Sequence, residues 1–126
     1  MLKKTSIDKL TALLALPATG LEQDWEVELA DENRVGEFLM AYEELGLSPD
    51  DKFALMALIL ASVDHYVAAK SSVPDEWKRI TTVLIKEREL HQETISYWRC
   101  DDDDEPQAWF HLTLYIRALT RHSLSL

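Results

Sequence analysis

Hydrophobic residues along this chain recur mostly every three to four positions, the spacing of one face of an α-helix. Ile7, Leu10, Leu13 and Leu14 form the first such stripe, with Ser6 as its candidate N-cap. Lys9 stands where a capping box wants a carboxylate or amide, so no box forms. Pro17 stops this helix and Thr19-Gly20 turns the chain. A second stripe of Val35, Phe38, Leu39 and Tyr42 is expected to be capped by Asp31 and ended by Gly46. Ser48-Pro49-Asp50-Asp51 then supplies a cap, a proline at the first helical position and acids at the positive end of the helix dipole. The helix behind it, residues 49–69, carries Phe53, Ala54, Leu55, Met56, Leu58, Ile59, Leu60, Ala61 and Val63 around nearly its whole circumference. A helix that is apolar all round is a central one.

Ser72 to Pro74 opens another helix bearing Trp77, Ile80, Val83 and Leu84. A break near Glu87 separates it from one bearing Leu90, Thr94, Ile95, Tyr97 and Trp98. The acidic run from Asp101 and Pro106 form a loop, and Trp109, Phe110, Leu112, Leu114, Tyr115, Ile116 and Leu119 mark the last helix. One stretch departs from this period. Trp25, Val27 and Leu29 alternate with acids every second residue, which is the strand pattern. No second strand is available to pair with it, so it reads as an extended segment with three inward anchors. The expected fold is all-α: one domain over residues 1–126, with five or six helices around the central one.

Composition narrows this further. An apolar fraction of 47% over 126 residues supports a single core without staples. The lone cysteine, Cys100, excludes an intramolecular disulfide and suits a reducing cytosol. Lys3 and Lys4 before the run Leu10 to Leu16 faintly resemble a signal peptide, but the run is short and Asp8 and Lys9 interrupt the approach to it. Leu16-Pro17-Ala18-Thr19-Gly20 matches the LPxTG signal of sortase substrates, which requires a following apolar stretch and basic tail. Here the acidic Glu22-Gln23-Asp24 follows, so the match reads as coincidence and the chain as cytoplasmic. No stretch comes close to the roughly 20 apolar residues of a membrane span.

The charge is concentrated. Formal net charge is −10, and residues 21–51 hold eleven acids against Arg34 alone. The 12 acids and 12 bases outside that window cancel. Such a chain repels nucleic acid and anionic membrane and attracts a basic partner. The run Asp101, Asp102, Asp103, Asp104 and Glu105 is a second acidic feature, balanced by bases elsewhere.

Catalytic chemistry is not legible. His65, His91, His111 and His122 include no pair at the i, i+4 spacing of a helical zinc site and read as solvated or structural. An EF-hand loop counted from Asp101 meets Pro106 where it needs Gly and Leu112 where it needs Glu. Cys100 has Arg99 beside it but carboxylates on its other flank. There is no nucleophile–base pairing and no phosphate-binding loop, so neither an enzyme nor a cofactor or metal is expected. Trp77, Trp98 and Trp109 fit core spacing, while Trp25, between Asp24 and Glu26, is the one candidate interface anchor.

Several of these residues together carry a resemblance. Glu22-Gln23-Asp24-Trp25, Glu28-Leu29-Ala30-Asp31, Arg34 and Phe38-Leu39 begin it. Lys52-Phe53-Ala54-Leu55-Met56, Trp77, Ile95-Ser96-Tyr97-Trp98 and Ile116-Arg117 continue it. The pattern resembles small acidic bacterial proteins similar to the immunity proteins of contact-dependent inhibition and other polymorphic toxin systems. That resemblance implies a cytoplasmic inhibitor of a toxin domain, commonly a basic nuclease, whose phosphate-binding lysines and arginines the acids engage. The candidate contact residues are Glu22, Asp24, Trp25, Glu26, Glu28, Asp31 and Glu32, then Asp101, Asp102, Asp103 and Asp104. Two rivals stand beside this reading: an acidic adaptor with another basic partner, and a small metal- or ligand-binding enzyme using histidines gathered by the fold.

Overall fold

The computed structural model describes residues 2–122, with side chains through residue 121. The described residues are all-helical, 67% helix and no strand. The elements are α1 (Lys4–Leu13), α2 (Trp25–Glu28), α3 (Val35–Glu44), α4 (Pro49–Lys70), α5 (Trp77–Lys86), α6 (Arg88–Arg99) and α7 (Thr113–His122), with a 3-10 turn at Pro106–Ala108. Helix α4 packs against α1, α2, α3 and α6, and α6 in turn packs against α5 and α7. One hydrophobic cluster runs from Leu10 to Ile116 through all of these layers.

Helix α4 begins as its sequence dictates. The Ser48 hydroxyl accepts from the Asp51 amide at 3.2 Å with Pro49 at the first position. It ends where Ser71 takes a left-handed φ of 60° and donates its amide to the Val67 carbonyl. Residues 54–63 are all buried. At 22 residues with a window of mean hydropathy 1.4, α4 is long and apolar enough to cross a bilayer, so the expectation that no stretch comes near a span is corrected. In the fold 61% of that window is buried.

Four polar side chains of α4 each hold a different segment. Asp51 accepts from the Ser6 hydroxyl and the Lys9 ammonium, both at 2.7 Å, clasping α1. Lys52 donates to Glu87 at the α5–α6 junction. Ser62 accepts from the Asp31 amide at 3.0 Å, and Asp64 accepts from the Leu112 amide at 2.8 Å just before α7. A buried polar group that finds a partner is stable and directional, so these four side chains fix how the outer helices sit. Asp51→Ala leaves the buried Ser6 hydroxyl without its acceptor and should cost about 1–3 kcal/mol in urea unfolding. Asp50→Ala, which loses only the exposed pair with Lys3, should stay within about 0.5 kcal/mol.

Several sequence expectations are corrected. Ser6 is not a cap: α1 starts at Lys4, and Ser6 lies inside it, buried, with its hydroxyl turned to the Asp51 carboxylate. Leu13 is 52% exposed, so the buried face of α1 is Leu10 and Leu14 with Ile7 beside them. Asp31 does not cap α3, which starts at Val35; its carboxylate accepts from the Asn33 amide in a tight turn instead. The last helix starts at Thr113, and Trp109 stands outside it. The described residues hold seven α-helices where five or six are expected, and the addition is α2.

Candidate partner-binding face

Helix α2 replaces the expected extended segment. Trp25 and Leu29 are buried, four positions apart, while Val27 faces outward at 38% exposure. The inward residues thus follow a helical turn rather than a strand's alternation. The turn is favoured locally because the Glu28 carboxylate reaches back to the Asp24 amide at 2.8 Å, satisfying one of the donors that a helix start leaves open. The Trp25 indole N–H donates to the Thr11 hydroxyl at 3.0 Å, tying α2 to α1. Trp25 is therefore a core anchor, and its reading as a surface contact is corrected.

Acids on and around α2 differ in how far they are engaged. Glu22 accepts from the Thr19 hydroxyl and amide and the Gly20 amide, closing the turn in which Gly20 has φ 87°. The Thr19 hydroxyl first, then the Thr19 amide, hold its carboxyl below the usual range. Asp24, Glu26 and Glu32 enter no ion pair among the described residues, nor do Glu28 and Asp31, whose bonds are to backbone amides. Elsewhere in the acidic window bases supply partners: Arg34 for Glu37, Arg79 for Glu43, Lys3 for Asp50 and Lys9 for Asp51. Folding brings three of those bases from outside the window. The acids that enter no ion pair among the described residues therefore lie around α2, with Glu44 the exception, although Lys4 stands near Glu22, Asp24 and Glu26 and Arg34 near Asp31.

Beside α2 lies an apolar groove of about 190 Å3 between α2, α4 and α6. Val27, Phe53, Ala57 and Trp98 supply its apolar lining, and Glu26, Glu93 and Thr94 its polar part. Tyr97, 53% exposed, completes the wall and stacks on Phe110 at 5.2 Å between ring centroids. Burial, then Glu26 and Asp24, push the Tyr97 phenol above its usual range. The groove is apolar and negatively charged at once.

The Asp101–Asp104 loop is organised around a base. Arg117 donates to the carbonyls of Arg99, Cys100 and Asp103 at the end of α6, and its guanidinium lies 3.9 Å from the Trp109 ring centroid. Asp101 pairs with Arg99, and the Asp103 carboxylate accepts from the Glu105 amide. Asp102 and Asp104 are exposed, with Arg99, Arg117 and Arg121 close to this loop. The two candidate acidic features thus differ in degree: around α2 the acids face Lys4 and, at Asp31, Arg34, whereas Arg99, Arg117 and Arg121 all stand near the loop.

Sequence reasoning missed a buried polar chain. His91 is fully buried, and its Nε2 lies 2.7 Å from the Tyr42 hydroxyl. Tyr42 donates to Glu87 at 2.6 Å, and Lys52 donates to the other Glu87 oxygen at 3.2 Å. Glu87 accepts the only phenolic proton, so His91 Nε2–H must donate to Tyr42, leaving Nδ1 as a buried acceptor with no partner among the described residues. Burial drives the His91 pKa down to about 4; Glu87 opposes the shift and Lys52 adds to it. Burial raises Glu87, but Tyr42 and Lys52 together hold it below its ordinary value. The Glu87–His91 spacing of four was a visible signal. His65 and His111 are exposed, and the His122 side chain lies outside the described residues. Among the described residues no three His, Cys, Asp or Glu side chains gather as metal ligands.

No family model matches this chain, and no curated protein or solved structure does.

Proposed function

We propose that this protein is a small cytoplasmic immunity-type module that binds and neutralises a basic toxin domain through the face built on α2. The observation carrying this reading is the gathering around α2 of acids that enter no ion pair among the described residues, next to an apolar groove. Carboxylates on such a face substitute for phosphate oxygens against a basic surface and accelerate the encounter. The same field disfavours nucleic acid and anionic membrane. The resemblance to immunity proteins points the same way. No catalytic role is assigned: the strongly perturbed pair His91 and Tyr42 is buried and serves the helix junction. Co-expression with the product of the neighbouring gene tests the reading. A stable complex with a basic toxin domain supports it. A partner that is acidic, or one bound at another face, overturns it.

A further inference from the structure

The groove beside α2 has a composition suited to one kind of side chain. Among the described residues, its lining includes no Lys, Arg or His. At about 190 Å3 the groove is large enough to take one long side chain. Val27, Phe53 and Ala57 offer apolar surface, while Glu26 and the exposed Tyr97 stand at its polar side. Lysine and arginine are the residues with an apolar stem and a cationic head.

Resting on the docking reading above, we infer that this groove seats one arginine or lysine side chain of the basic partner. Its stem lies along Val27, Phe53 and Ala57, and its cation stands between the Glu26 carboxylate and the Tyr97 ring. An aromatic face beside a carboxylate attracts a cation twice over, by quadrupole and by charge. The Tyr97 ring belongs to a cluster with Trp98 and Phe110, with centroids 4.7–5.2 Å apart, so it is held in place before any ligand arrives. The seat is specific for cations: an uncharged chain of the same length leaves Glu26 desolvated without a partner.

The test uses the full chain and capped single amino acids as probes, followed by NMR of the Tyr97 and Trp98 ring signals. Acetyl-arginine amide or acetyl-lysine amide should shift those signals in a saturable way, and acetyl-norleucine amide should not. Glu26→Gln should weaken the cation probe about three- to fivefold. Tyr97→Leu, which keeps an apolar wall and removes the ring face, should weaken it about threefold or more. Circular dichroism of both variants reports that the fold is retained. Equal shifts with norleucine, or none with either cation, overturn the inference. In that case the docking of a basic partner on α2 remains to be judged by its own salt titration, so the two failures are distinguishable.

Discussion

Replacing Ile59 with alanine should lower the free energy of unfolding by about 2–5 kcal/mol, and Leu55→Ala should do the same. Both side chains are fully buried in the middle of α4, within a stretch covered by α1, α2, α3 and α6. Truncation removes apolar contact with several helices at once and leaves a cavity that no single neighbour can fill. Met40→Ala on α3, where the side chain is 54% exposed, should stay within about 0.5 kcal/mol. Urea unfolding of the three variants reads the contrast. A loss under about 0.5 kcal/mol at both Ile59 and Leu55 contradicts the placement of α4 at the centre.

Acid destabilises this protein in a window set by His91. Its pKa falls from an ordinary 6.5 to about 4 in the fold, because burial penalises the imidazolium. The unfolded chain therefore binds a proton between these values that the native state refuses. Stability is complete above about pH 7 and declines as the pH drops toward 4, by about 3 kcal/mol in all. The charged groups facing His91 shape the window: Glu87 favours the imidazolium, and Lys52 opposes it. Carboxylates held low, such as Asp51 by Lys9 and Ser6, act below this window, since their contribution is lost only as they protonate. His91→Leu removes the titrating group and the orphaned Nδ1 together, so urea midpoints measured between pH 7 and 4 should lose most of their slope. A slope unchanged in that variant contradicts the assignment.

Period, caps and breakers located most of the helices. The Ser48-Pro49-Asp50-Asp51 start and the Glu87 break are local signals, and local chemistry decided both. Helix α2 was misread because acids interleaved with Trp25, Val27 and Leu29 satisfy a strand's alternation as well as one turn of helix. The Glu28 carboxylate on the Asp24 amide, a contact over four residues, settles the choice. Ser6 and Asp31 were misread for a different reason. Each is a good cap in isolation, but Asp51 and Ser62 on α4 recruit the Ser6 hydroxyl and the Asp31 amide from 45 and 31 residues away. The acidic face was half legible. Sequence located the charge, and only the fold shows which acids Lys3, Lys9 and Arg79 engage.

The docking of a basic partner on α2 stands or falls on the association rate of the copurified complex, measured at low and high salt. Asp24→Lys with Glu26→Lys reverses two acids that enter no ion pair among the described residues. The Asp24 side chain makes no cap bond to α2, so stability should change little. Association should slow about tenfold or more at low salt, and its dependence on salt should flatten. The same reversal at Asp102 and Asp104, of which Asp104 stands beside Arg99, Arg117 and Arg121, should change the rate far less. A rate that is flat with salt in the wild type and unmoved by reversal on α2 contradicts electrostatic docking at this face.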